Sequence, residues 1–174
     1  MSSDPTHPPL DAETIAFAGQ IFDRARSGDA EEIEALLGAG LPANMCNDKG
    51  DTLLMLASYH GHPATVRALL AHGADPERAN DRGQTPLVAA AFKGDRGCVE
   101  ALLEHGAAID GHGGDGRTAL MTAAMFNRLE MVELLLDRGA DPALCDAAGF
   151  SAAEAADKMG AGEAAARLRQ ATGG

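Results

Sequence analysis

Glycines recur along this chain at a fixed step of 33 residues: Gly50, Gly83, Gly116 and Gly149 form one series, and Gly40, Gly73, Gly106 and Gly139 another. The same step carries Thr52 onto Thr85, Thr118 and Ser151, and the pair Leu36 and Leu37 onto Leu69 and Leu70, Leu102 and Leu103, and Leu135 and Leu136. No insertion or deletion breaks the register, so the chain must fold as copies of one small supersecondary unit. A unit of this size buries too little surface to be stable alone. Stacking on its neighbours has to supply the core, and the product is a solenoid.

Each unit opens with a turn containing glycine ("NDKGD", "NDRGQ", "GGDGR", "DAAGF") that leads to a Thr or Ser able to cap a helix. A short first helix follows, and in one unit Pro86 stands just after Thr85, where a missing N–H is harmless. After "YHGH" or "FKGD" a second helix carries apolar residues at i, i+3 and i+4, such as Val66, Leu69 and Leu70, or Val99, Leu102 and Leu103. Gly73, Gly106 and Gly139 then suit a left-handed helix end. The small pairs Ala57 and Ser58, Ala90 and Ala91, and Ala123 and Ala124 let neighbouring helices approach closely. At the ends of the stack this apolar pattern breaks: the position of Ala57 is Arg24 one repeat earlier, and that of Leu136 is Arg169 one repeat later. Such charges are ruinous inside a stack and fit its solvent-facing ends.

A turn, two helices and a period of 33 make the chain resemble the ankyrin repeat family, through "NDRGQTPLVAAAFKGDRGCVEALLEHGA" and "GDGRTALMTAAMFNRLEMVELLLDRGADP". The resemblance covers roughly residues 15–170 and implies an all-α solenoid of stacked helix-turn-helix units with hairpin-like loops. The expected organisation is a mobile polar tail (1–10), an N-terminal capping repeat (11–46), three full repeats (47–79, 80–112 and 113–145) and a C-terminal capping repeat with its tail (146–174). One departure is consistent. The His that closes the family's T-P-L-H is replaced by Met55, Val88, Met121 and Glu154, which removes a side-chain hydrogen bond between units. The stand-alone arrangement resembles bacterial members of the family.

Composition narrows the function. A formal charge of -12 makes binding to nucleic-acid backbones or anionic lipid unfavourable. The N-terminus shows neither the basic nor the apolar region of a signal peptide, and no apolar run is long enough to span a membrane. The expectation is a cytoplasmic protein, as a monomer, with no bound cofactor. Cys46, Cys98 and Cys145 are odd in number and widely spaced, which fits reduced thiols.

Stepping by 33 from Tyr59 gives Phe92 and then Met125; stepping from His60 gives Lys93 and then Phe126. By the family resemblance these positions, with the turn residues, face the concave side and vary with the partner. Tyr59, Phe92, Met125 and Phe126, with Phe150 in the last turn, would then form an apolar stripe across successive repeats. Charged residues at the turn tips, among them Asp48, Lys49, Asp51, Asp81, Arg82, Asp115 and Arg117, would rim it. The acidic surplus along second helices reads as a solvated back surface. The implied function is non-catalytic binding of another protein by Tyr59, His60, Phe92, Lys93, Met125 and Phe126, with Asp51, Arg82, Arg117 and Phe150 at the margin. The chain would act by occupancy, as adaptor, inhibitor or stabiliser.

Two other readings remain. A host-directed secreted effector would have to leave the cell, and a metal-dependent enzyme would use His60 and His62. Register opposes the second reading: His72 and His105 are equivalent positions one repeat apart, about 10 Å by helix-packing distances, too far to share a metal. The glycine-rich "DGHGGDG" from Asp110 to Gly116 lacks the Lys and Ser/Thr of a phosphate loop and is in register with the preceding turn.

Overall fold

The computed structural model describes residues 11–173; the tail expected over residues 1–10 and the final Gly174 lie outside them. Ten helices are found among the described residues: α1 (Ala12–Ser27), α2 (Ala30–Gly38), α3 (Leu53–His60), α4 (Pro63–Ala71), α5 (Pro86–Lys93), α6 (Arg96–Glu104), α7 (Ala119–Met125), α8 (Leu129–Asp137), α9 (Ala152–Lys158) and α10 (Gly162–Ala171). From α3 and α4 onward, each pair starts 33 residues after the one before, so the register of the sequence is the register of the fold. Isolated antiparallel bridges pair Cys46 with Thr52 and Cys145 with Ser151, across the first and last turns.

The starts of the first helices are set by the residues that the repeat places there. Thr52, Thr85 and Thr118 accept the N–H of Met55, Val88 and Met121 at 3.1, 3.3 and 3.3 Å. Each such cap is worth about 1 kcal/mol. Ser151 goes further and forms a full capping box, with Glu154 reaching back to the Ser151 N–H at 2.8 Å. At the other end, Gly61 and Gly94 close α3 and α5 in the left-handed region. In the third unit that conformation falls to Asn127 (φ 52°), the one non-glycine with positive φ among the described residues.

The helices stack in two rows. The first helices α1, α3, α5, α7 and α9 pack in sequence, and α2, α4 and α6 pack behind them, with α8 and α10 continuing the outer row. Ala57, Ser58, Ala90, Ala91, Ala123 and Ala124 have no exposed surface, as close approach in the inner row requires. Columns in the repeat register fill the space between rows: Ile33, Val66, Val99 and Val132 form one, and Leu69, Leu102, Leu135 and Leu168 another, all fully buried. The positions where the family carries its His hold Met55, Val88 and Met121 at 3, 5 and 1% exposure, so apolar burial takes the place of the missing hydrogen bond.

Both ends are polar as the sequence implies. Arg24 pairs with Asp29 and Glu32, each at 2.9 Å, and Arg169 pairs with Asp157. The back surface differs from the expectation of simple solvation. Glu100 bonds Arg96 at 3.0 Å and Arg138 of the next unit at 3.2 Å, and Glu133 is held by Arg167 at 2.5 and 2.8 Å. The Glu100–Arg138 and Glu133–Arg167 pairs tie successive outer helices together, although half-exposed pairs of this kind add little stability each.

Candidate interaction face

The C-terminal ends of α3, α5 and α7 bring three rings together. Tyr59 and Phe92 stack with centroids 5.4 Å apart and an interplanar angle of 14°. Phe92 and Phe126 meet edge to face at 4.8 Å and 88°. Both geometries are favourable for aromatic pairs. The sequence aligns Phe92 with Met125, yet the ladder passes to Phe126. Helix α7 ends one residue earlier than α3 and α5, Phe126 becomes its cap residue, and Met125 is half buried. Tyr59 is 40% and Phe126 45% exposed, while Phe92 between them is half buried. The rings therefore both pack on one another and present apolar surface to solvent.

A groove of about 570 Å³ runs from this ladder to the turn tips, between Tyr59, His60 and Arg26 on the helix side and Lys49, Asp81 and Arg82 on the turn side. Arg82 and Arg117 are exposed at their turns, and Arg117 lies 3.8 Å from Asp115. Asp51 corrects the expectation of an exposed rim residue. It is only 6% exposed, and its carboxylate accepts the Asn80 amide at 2.7 Å across the repeat boundary. Phe150 likewise stands apart from the ladder, with the Lys158 ammonium 3.3 Å over its ring. A residue that sequence reasoning passed over is Arg26. It occupies the position of Tyr59 one repeat earlier, so the column Arg26, Tyr59, Phe92 begins with a cation.

The histidines divide by role. His60 is exposed beside Tyr59, with ring centroids 5.4 Å apart. Its pKa lies below the ordinary imidazole value, first because of desolvation and then through the electrostatic influence of the neighbouring His62, Arg26 and Lys93. His62 caps α4 and reaches the Arg26 carbonyl through Nε2 at 2.7 Å. A carbonyl only accepts, so Nε2 carries the proton. Gly28 lets this ring in, since a Cβ there would overlap it. His72 and His105 each turn Nδ1 to the carbonyl four residues back, at 2.9 and 2.8 Å, which is a helix-end role. Among the described residues no three His, Cys, Asp or Glu side chains group as metal ligands. Burial pushes the Cys98 thiol pKa far upward, and Cys46 and Cys145 are exposed free thiols.

The turns explain their own glycines. Asn47, Asn80 and Asp146 each accept two backbone N–H groups of their turn through Oδ1. The third position of this series is Gly113, and a Cβ there would run into the Gly83 carbonyl. Crowding between neighbouring turns, with no anion required, accounts for glycine at that position. Between turns, Asn44, Glu77 and Asp110 form a ladder in the repeat register. Their side chains accept the N–H of Asp75, Ala108 and Asp141 at 2.7, 2.8 and 3.0 Å.

Stacked helix-turn-helix units with an aromatic ladder on one edge define a helical-repeat scaffold, whose turns and first helices present a surface. The ankyrin repeat family, described as ankyrin repeats in three copies, matches residues 21–112 and 76–146, and the chain belongs to that family. An ankyrin repeat protein of Pseudomonas aeruginosa is 56% identical over 64 residues, a segment that makes up 37% of this chain and 37% of that protein. The match thus spans well under half of the relative's length. Ankyrin repeats are generally protein–protein interaction modules. Among the described residues no helix is long and apolar enough to cross a membrane.

Proposed function

We propose that the chain binds another protein on the concave face formed by the first helices and turn tips, without catalysis. The observation that supports this most is the ladder of Tyr59, Phe92 and Phe126, half exposed across three successive repeats and fixed by mutual stacking. Rings already held in place lose little entropy on association and make good anchors at the centre of an interface. Met125, His60 and Lys93 flank the ladder, Arg82 and Arg117 lie at its margin, and Phe150 extends the face at the last turn. Asp51 serves the face indirectly, by holding the turn through Asn80. In this reading the chain acts by occupancy in the cytoplasm, as a monomer that blocks, holds or stabilises its partner.

The test is affinity capture from a lysate of the source organism with wild type and with the Tyr59→Ala, Phe92→Ala, Phe126→Ala triple variant, whose helical circular dichroism is checked first. A protein retained by wild type and lost from the folded variant supports the reading and identifies the partner. Equal retention by both moves the interface elsewhere on the surface.

A further inference from the structure

The chain carries a net charge of -12, yet Arg26 and Lys93, two of its 14 Lys and Arg residues, stand together beside His60 at one end of the groove. Arg26 from α1 and His60 from α3 line it together with Tyr59. Lys93 at the end of α5 lies against Gly61, its Cγ and Cε 3.2 Å from where a Cβ would stand. Lys93 forms no ion pair among the described residues, and Arg26 is paired with the largely exposed Asp23 at 2.7 Å. The carboxylates nearby are otherwise committed or distant. Asp51 is buried on Asn80, the Asp95 Oδ1 accepts the Cys98 N–H at 2.8 Å while its Oδ2 lies 3.5 Å from the same Gly61 position as Lys93, and Asp48 and Asp81 stand at the turn-tip side.

We propose that this end of the groove is a carboxylate-binding subsite. The partner then presents an acidic side chain next to an apolar one, the carboxylate seated among Arg26, His60 and Lys93 and the apolar group on the Tyr59, Phe92 and Phe126 rings. The proposal rests on the reading of this face as partner-binding and adds the chemistry of what it recognises. Two features favour a carboxylate over a cation or a purely apolar group. The three side chains come from three elements, and the acids beside them, Asp23 on Arg26 and the Asp95 Oδ2 near Lys93 at Gly61, leave His60 itself facing cations, so an incoming anion there eases their repulsion. They also adjoin the aromatic ladder directly, through the 5.4 Å Tyr59–His60 contact, which fixes an anion next to an apolar anchor.

Binding should couple to proton uptake. The charged and titratable groups facing His60 are Arg26 from α1, His62 from the loop before α4, Lys93 from α5 and its own neighbour Tyr59. The positive groups among them disfavour the imidazolium in the free protein. A bound carboxylate reverses that, so the bound form takes up a proton and affinity rises as pH falls toward and below about 6.5, as long as the carboxylate stays ionised.

The probes are three short peptides in which phenylalanine alternates with glutamate, glutamine or lysine, titrated into the full chain and followed by amide NMR shifts. The expected result is that the glutamate peptide shifts the resonances around Tyr59, Phe92 and Lys93 and binds at least several-fold tighter than the glutamine peptide. Lys93→Gln and Arg26→Gln should each remove the preference for the glutamate peptide over the glutamine peptide. Between about pH 7.5 and about pH 5.5 the wild-type affinity for the glutamate peptide should rise, approaching tenfold per unit of pKa gained by His60, and His60→Gln should flatten the rise. All three substitutions are at solvent-accessible side chains, and the Arg26 carbonyl that holds His62 is untouched. If the glutamine and lysine peptides bind at the ladder as tightly as the glutamate peptide, the carboxylate subsite is wrong while the partner-binding face stands. If no peptide perturbs the ladder, or the Tyr59, Phe92 and Phe126 alanine variant binds all three unchanged, both fall.

Discussion

Among the described residues, Ser58 and Thr65 bury their hydroxyls without a hydrogen-bond partner, on α3 and α4 of the same unit. The repeat register shows what the fold prefers there: the following unit carries Ala91 and Cys98 at these positions, both fully buried. A buried hydroxyl that finds no partner loses its hydration for nothing, whereas an apolar group of similar shape loses none. Ser58→Ala and Thr65→Val should therefore each stabilise the chain by about 1 kcal/mol, read as a higher urea midpoint at unchanged slope. A lower midpoint in either variant means that the hydroxyl does find a partner in the folded protein. The sequence exposes this pair only by comparison across the period, since neither a Ser nor a Thr in a short helix is unusual by itself.

Among the elements, the turn before α5 depends most on one side chain. Asn80 accepts the N–H groups of Arg82 and Gln84 at 3.1 and 3.0 Å and donates to the buried Asp51 carboxylate at 2.7 Å. Asn80→Ala breaks all three bonds and leaves the buried Asp51 carboxylate only the longer 3.4 Å bond from the Asn47 amide, so it should cost about 3 kcal/mol and expose the amides of α3 and α5 to hydrogen exchange together. A loss confined to the turn itself would mean that the Asp51 link does not couple the two units. The fold at this scale was legible in the sequence, because the glycines, the capping Thr and Ser residues and the leucine pairs all obey one period. The site was legible only in part. The role of Asp51 was hidden because its partner lies 29 residues on and its counterparts in the following units are Gln84 and Arg117. The passage of the ladder to Phe126 was hidden because it depends on where α7 ends, with Asn127 standing where Gly61 and Gly94 stand earlier. Periodicity describes what units share, and both features arise where units differ.

At the scale of the whole molecule, a stack of units is held by nearest neighbours, so its two end units are supported on one side only. Two carboxylates with depressed pKa values, Asp11 and Glu154, sit in those end units, and a third, Glu133 of the neighbouring repeat, holds the last one through Arg167. Asp11 accepts the Thr14 N–H at the start of α1, and that hydrogen bond is the main cause of its shift. Glu133 on α8 is lowered chiefly by its hydrogen bond from Arg167 of α10, and Glu154 by the backbone N–H of Ser151 at the cap of α9. A carboxyl whose folded pKa lies below its unfolded value contributes stability that is fully present above the unfolded value, about 3.9 for Asp and about 4.3 for Glu. That contribution is lost as pH falls through the folded value. Acid should therefore loosen the ends before the middle, with protection against hydrogen exchange lost first in α9, α10 and the first turn of α1 while α3 to α6 stay closed. Glu133→Gln should make the α8 to α10 region less sensitive to acid, because it removes the titrating group while keeping an acceptor for Arg167. Simultaneous loss across all ten helices would show instead that the stack unfolds as one cooperative unit and that the end carboxylates do not set its acid limit.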